Sequence, residues 1–94
     1  MLDDRGPRRR PTYCRVCGLD QGMLEPWARD EKTPSHGICP CCGVEWGNDD
    51  GTLESTRKYR DEWVQKGTPW ADASEKPSTW SWEKQRKQIS PEWL

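Results

Sequence analysis

Two closely spaced pairs of cysteines form the clearest chemical pattern in this sequence. Cys14 and Cys17 make up the first pair, Cys39 and Cys42 the second, and 21 residues separate the two pairs. This spacing is close to that of four-cysteine zinc sites. Zinc prefers four ligands in a tetrahedron, and two such pairs supply four sulfurs with no open position. The spacing therefore predicts one structural Zn²⁺ bound by Cys14, Cys17, Cys39 and Cys42.

A glycine directly follows each pair, Gly18 after the first and Gly43 after the second. A turn that aims two thiols at one ion closes at a residue with positive φ, which glycine adopts without steric cost. We therefore expect residues 14–18 and 39–43 to form two similar turns, named here the first and second knuckle.

Cys41 and His36 lie close to the second pair and allow more than one interpretation. Cys41 is either a small buried residue beside the site or a thiol for redox or nucleophilic chemistry, and the shortage of histidine partners favours the first interpretation. His36 is a loop residue, a replacement for one sulfur, or a hydrogen-bond donor to a ligand. Four thiols at better spacing favour the loop residue.

No other group of residues suggests catalysis. The sequence has one histidine and no glycine-rich phosphate loop, and the predicted metal site is closed. We therefore predict that the protein is not an enzyme.

The chain has few aliphatic residues with which to build a core. Among 94 residues, Leu, Ile and Val total ten and Phe is absent, whereas there are seven tryptophans. Tryptophan buries a large area, and small chains with thin cores commonly depend on a structural metal. The core is thus expected to combine tryptophan with the metal site.

Cysteine usage bears on the cellular compartment. Five cysteines leave an odd thiol, and the first residues contain no apolar run that would serve as a signal peptide. No stretch is long enough to cross a membrane. These features favour a reduced metal site in the cytoplasm over a disulfide framework.

The charge distribution divides the chain in two. Residues 1–11 include four arginines and are predicted to be a disordered basic arm, which is either simply solvated or in contact with nucleic acid or another acidic surface. From residue 11 onward, 11 basic and 14 acidic residues give a balance of −3. An acidic body is a poor phosphate binder. Residues 12–94 are expected to form a single zinc-ribbon domain with a helical C-terminal part.

The predicted fold class is small α+β, a zinc ribbon of short β-hairpins followed by two short helices. Val44 and Trp46 alternate with Glu45, a pattern typical of a half-buried strand. A helix is predicted over residues 52–66, with Thr56, Tyr59, Arg60 and Trp63 on its inward face. Ser81 is a candidate cap for a second helix over residues 82 to 88 or 89.

A longer pattern includes Tyr13-Cys14-Arg15-Val16-Cys17-Gly18, Ile38-Cys39-Pro40-Cys41-Cys42-Gly43-Val44-Glu45-Trp46-Gly47 and scattered later positions such as Arg60, Trp63 and Gln85. These residues give the chain a resemblance to a family of small, cysteine-rich bacterial zinc-ribbon proteins. It implies a zinc-ribbon fold, a cytoplasmic location, no established enzymatic activity and an immunity or accessory role beside toxin systems. Two departures are Trp46, where a phenylalanine is expected, and the additional arginine-rich arm.

The Cys-Pro-Cys-Cys-Gly segment also resembles the second knuckle of rubredoxin, which implies a single iron that transfers electrons. The favoured function is a non-enzymatic zinc-binding protein-interaction module, in its sharpest form an immunity or accessory protein that binds a toxin. The alternatives are a nucleic-acid-binding zinc ribbon that uses the arm and a rubredoxin-like iron electron carrier.

Overall fold

A computed structural model describes residues 12–94, so the predicted basic arm at residues 1–11 lies outside the described residues. The described part contains two α-helices, α1 over Leu53–Gln65 and α2 over Trp82–Gln85. Three short 3₁₀ turns at Ala73–Glu75, Arg86–Gln88 and Pro91–Trp93 follow α1 or α2. The knuckles and the loop between them precede α1.

The predicted α+β class, a zinc ribbon of short β-hairpins, is wrong. Residues 12–94 contain no β-strand, only three isolated antiparallel bridges: Tyr13–Asp20, Trp27–Pro34 and Ile38–Glu45. Around the second knuckle the pairing cannot continue, since His36 (φ 64°) and Gly47 (φ 103°) flank it with left-handed backbone. Extended strands require negative φ. The alternating Val44-Glu45-Trp46 therefore passes through one bridge instead of a strand, although Val44 and Trp46 are both buried.

The two knuckles share one backbone pattern. The amide of Cys14 donates to the carbonyl of Leu19 and the amide of Cys39 to that of Val44, at 3.0 and 2.9 Å. Gly18 and Gly43 each donate back to the first cysteine of their knuckle and have φ of 81° and 80°. The prediction of two similar glycine-closed turns is confirmed. Corresponding positions in the two knuckles differ by 25 residues.

α1 begins and presents its inward face as the sequence predicts. The side chain of Thr52 accepts from the amide of Ser55 and forms a capping box with it. Thr56 and Trp63 are buried on the inward face, with Tyr59 partly buried beside them. After the helix, Gly67 adopts a φ of 96° and turns the chain away.

α2 is shorter than the predicted second helix, because its last turn tightens into a 3₁₀ turn at Arg86–Gln88. Ser81 caps its start as expected. Ile89 then has extended backbone, and Pro91 restricts the preceding residue to extended conformations. Gln85 and Ile89 are buried on the side that faces the first knuckle.

The core combines cysteine and tryptophan. All five cysteines are buried together with Val16, Val44, Trp46 and Trp63. Around this cluster the rings of Trp63 and Trp82 meet edge to face at 5.0 Å, and those of Trp70 and Trp80 at 5.7 Å. Such edge-to-face pairs are favourable beyond the area they bury. Within residues 12–94, no helix is long and apolar enough to cross a membrane.

Thr56 provides a test of this core. It is fully buried, and its hydroxyl has no hydrogen-bond partner among the described residues. Valine has the same branched shape without the hydroxyl, so Thr56→Val should raise the free energy of unfolding by about 1 kcal/mol. Urea unfolding at a fixed metal concentration measures this change. Thr79→Val, at an exposed position, is the matched control and should leave the midpoint unchanged; a lower midpoint for Thr56→Val would contradict the argument.

Candidate metal centre

The structure brings the four predicted ligands together. The sulfurs of Cys14, Cys17, Cys39 and Cys42 all lie within 4.8 Å of one another, and all four residues are buried. The Sγ atoms of Cys14 and Cys42 are 3.8 Å apart, and those of Cys17 and Cys39 are 3.7 Å apart. A tetrahedron with Zn–S bonds near 2.3 Å has edges of about 3.8 Å. The four thiols thus have a spacing that can hold a metal ion.

Cys41 lies outside this group of four. It occupies the position in the second knuckle that Val16 occupies in the first, and both residues are fully buried. Its sulfur accepts a hydrogen bond of 3.4 Å from Nε2 of Gln85. The shared backbone pattern explains why Cys42, the counterpart of Cys17, enters the cluster and Cys41 does not.

His36 also lies outside the cluster. Its side chain is exposed, its backbone has positive φ, and its ring packs beside Gly47. Of the three interpretations offered for this residue, the structure supports the loop residue.

Two side-chain N–H groups point at the sulfurs. The indole Nε1 of Trp46 donates to Sγ of Cys14 at 3.5 Å, and Nε2 of Gln21 donates to Sγ of Cys39 at 3.6 Å. Hydrogen bonds of this kind stabilise the charged form of a thiol and fix its orientation toward a metal. Neither donor was identified from the sequence, because nothing in the spacing of Gln21 or Trp46 marks them.

Burial and mutual contact shift the pKa values of three of these thiols in different directions. Burial raises the pKa of Cys17 and of Cys42 well above the ordinary value, whereas hydrogen bonds from Cys14 and other sulfurs lower the pKa of Cys39. Four thiolates packed this closely repel one another unless a cation lies among them. Metal binding at this cluster would therefore release protons.

The C-terminal half of the chain covers the second knuckle through backbone carbonyls. The amides of Ala71 and Asp72 donate to the carbonyls of Cys41 and Pro40 at 3.0 and 2.9 Å. The hydroxyl of Tyr59 on α1 donates to the carbonyl of Cys42 at 3.0 Å. These bonds give each of the three carbonyl groups a hydrogen-bond partner.

The first knuckle is covered by α1 and α2 in the same way. Arg60 donates to the carbonyls of Val16 and Arg15 at 2.6 and 3.0 Å. Nε2 of Gln85 donates to the carbonyl of Cys17 at 3.1 Å, while its Oε1 accepts from the indole of Trp80 at 2.7 Å. Arg60, which the sequence predicts to face inward, and Gln85 thus hold the turn that carries two of the thiols.

Arg15, between the cysteines of the first knuckle, has a role that the sequence did not reveal. Its guanidinium lies 3.9 Å from the ring centroid of Trp27 and 3.9 Å from that of Trp93. It donates to the carbonyls of Asp50 and Glu31 at 3.0 and 3.1 Å. Burial lowers its pKa, and the nearby Asp50 acts in the opposite direction. The arginine thereby joins the inter-knuckle loop, the end of the chain and the turn before α1.

Asp50 belongs to the acidic turn at residues 47–51 that precedes α1. It is fully buried, and its carboxylate accepts from the indole of Trp27 and the amide of Gly47, both at 2.8 Å. Burial raises its pKa above the ordinary range. Through these hydrogen bonds the carboxylate stabilises the turn at residues 47–50.

Comparison of the chain with protein-family models, with curated proteins and with solved structures finds no match. The resemblance to small bacterial zinc-ribbon proteins and the coordination of a metal by the four cysteines both stay predictions.

The contact between Gly18 and α2 can be tested by a substitution that adds one methyl group at this position. A Cβ at this position would lie 2.9 Å from the carbonyl oxygen of Gln85 and 3.0 Å from the amide of Ile89, at a φ of 81°. Gly18→Ala should therefore lower the free energy of unfolding by more than 2 kcal/mol, from positive-φ strain plus the clash. The measurement is chemical unfolding followed by tryptophan fluorescence.

Gly22→Ala is the matched control for this substitution. Gly22 has a similar φ of 74°, but a Cβ there would meet nothing within 4 Å. It should show only the cost of backbone strain, about 1 kcal/mol. Equal losses in the two variants would show that the packing of Gly18 against α2 contributes nothing.

Proposed function

We propose that this protein is a zinc-dependent, non-enzymatic protein-interaction module. The observation that carries the proposal is the buried cluster of four thiols, Cys14, Cys17, Cys39 and Cys42, whose sulfurs all lie within 4.8 Å of one another. Four sulfur ligands saturate zinc and leave no position for a substrate or an activated water. The ion would therefore act by holding the two knuckles together, and the surface around them would serve for binding.

Zinc is the proposed ion because four thiolates in a closed tetrahedron suit it and it needs no redox partner. Iron uses the same geometry, and the N–H groups of Trp46 and Gln21 at two sulfurs are contacts that also tune iron–sulfur potentials. Rubredoxin-like electron transfer is thus the second candidate, distinguished by the visible absorption of the purified protein.

A protein partner is favoured by the charge of the body. From residue 11 onward the balance is −3, and four bound thiolates with one Zn²⁺ would add −2. Such a body suits a basic protein surface, because opposite charges accelerate encounter. The sharpest form of the proposal is a cytoplasmic accessory or immunity protein that covers the basic surface of a toxin. Nucleic-acid binding through the arginine-rich arm is the competing proposal.

Substitution of the two adjacent cysteines tests the metal site. Cys42→Val should lose zinc and the folded state, because the energy of zinc binding, about 10–16 kcal/mol in finger peptides, is coupled to folding. Cys41→Val is the matched control and should keep one zinc per chain, since Val16 fills the same position of the first knuckle. Elemental analysis and the tryptophan emission spectrum measure both. Zinc retained by Cys42→Val, or lost by Cys41→Val, would contradict the proposed ligand set.

Capture of the tagged full chain from cells that express it tests the interaction. The expected result is a basic protein in stoichiometric amount that is absent when Cys42→Val is used. Nucleic acid that survives a moderate salt wash, with no protein partner, would favour the arm as the functional site instead.

A further inference from the structure

A pocket next to the first knuckle offers a binding site that the metal cluster does not use. It has a volume of about 330 Å³, and its walls come from three parts of the chain: Tyr13 and Arg15, Trp27 in the inter-knuckle loop, and Trp93 near the end. It is named here the Trp27–Trp93 pocket. Its volume lies at the lower end of the range for ligand sites, which suits one long side chain better than a cofactor.

The two indole rings of this pocket already bind one cation. Arg15 lines the pocket, with its guanidinium 3.9 Å from each ring centroid. Trp27 and Trp93 are both only partly buried and both line the open volume, so part of each ring remains available to a second group. The negative faces of indole rings favour planar cations stacked on them.

The charges around the pocket favour a cation. Arg15 and Arg29 line it together with Glu31 and Glu92. Arg29 forms an ion pair of 3.3 Å with Glu25, and Arg15 donates to the carbonyl of Asp50. Arg60, which donates to the carbonyls of Arg15 and Trp93, adds one positive charge, so these seven residues sum to three positive and four negative charges, a balance of −1. The balance is thus slightly negative, which favours positive groups over carboxylates and phosphates.

We propose that the Trp27–Trp93 pocket binds the guanidinium of an arginine in a basic segment of the protein partner. The inference rests on the proposed interaction function and specifies the chemistry of the partner. Arginine fits better than lysine because its planar, weakly hydrated head stacks on indole rings while its N–H groups reach carboxylates. Glu92 is the carboxylate that we assign to this contact.

The test uses a defined probe, a tri-arginine peptide acetylated and amidated at its ends, and the zinc-loaded full chain. Two-dimensional NMR follows the indole N–H signals of the seven tryptophans at low ionic strength. The signals of Trp27 and Trp93 should shift in a saturable way, and 0.5 M salt should weaken the binding. Tri-lysine should bind at least about fivefold more weakly, and tri-citrulline, neutral but similar in shape, should not bind.

Glu92→Gln should weaken binding of the tri-arginine peptide about two- to fivefold, as expected for loss of one exposed charge contact. Glu54→Gln, the same change at an exposed position on α1, is the matched control and should bind like the parent. Equal binding of tri-citrulline and tri-arginine, equal effects of the two variants, or shifts spread over all tryptophans would overturn the assignment.

One further variant separates a partner from the chain itself. If replacement of Arg8, Arg9 and Arg10 by Gln moves the Trp27 and Trp93 signals without any peptide, the chain's own arm fills the pocket and the assignment to a partner is overturned. If a captured protein partner binds Glu92→Gln as well as the parent, this inference fails while the interaction function stands. If no protein partner is captured, the interaction function itself fails.

Discussion

The close packing of four buried thiols is the constraint on which the rest of this structure depends. Two pairs of sulfurs across the knuckles, Cys14–Cys42 and Cys17–Cys39, are 3.8 and 3.7 Å apart, a distance that suits a shared metal ion. A disulfide requires about 2.05 Å. With ten aliphatic residues of the Leu, Ile and Val types, the chain has little else with which to order its interior. The energy of metal binding would therefore replace much of the hydrophobic burial that larger domains use.

Polar side chains provide much of the stabilisation that aliphatic packing provides in other domains. Arg60, Gln85 and Tyr59 each reach from the C-terminal half to a carbonyl of a knuckle, and the amides of Ala71 and Asp72 do the same. A buried carbonyl without a partner is costly, so each of these bonds favours the docked arrangement over an open one. Tryptophan rings then fill the space around them. The directions of these hydrogen bonds determine the arrangement of the interior as much as the shapes of the packed side chains do.

The sequence predicted the parts of the site that depend on local spacing. The paired cysteines with their glycines, the inward face of α1 and the cap of α2 follow from short-range rules, and the structure has all of them. The sequence did not predict the absence of β-hairpins. His36 is not a glycine, so nothing local indicates its positive φ, which depends on the tertiary structure. Nor did the sequence reveal the stacking of Arg15, whose two tryptophans lie 12 and 78 residues away along the chain. Contacts between residues so far apart along the chain produce no periodic pattern in the sequence.

The hydrogen bond from Gln85 to the carbonyl of Cys17 spans 68 residues, and it has a consequence for synthesis on the ribosome. At about 5–20 residues per second, the first knuckle waits several seconds before its cover is translated. During that interval its two thiols are open to oxidation and to competing metals. A nascent chain of this protein is thus most vulnerable before α2 emerges, and the availability of the ion during translation would decide how much of it matures.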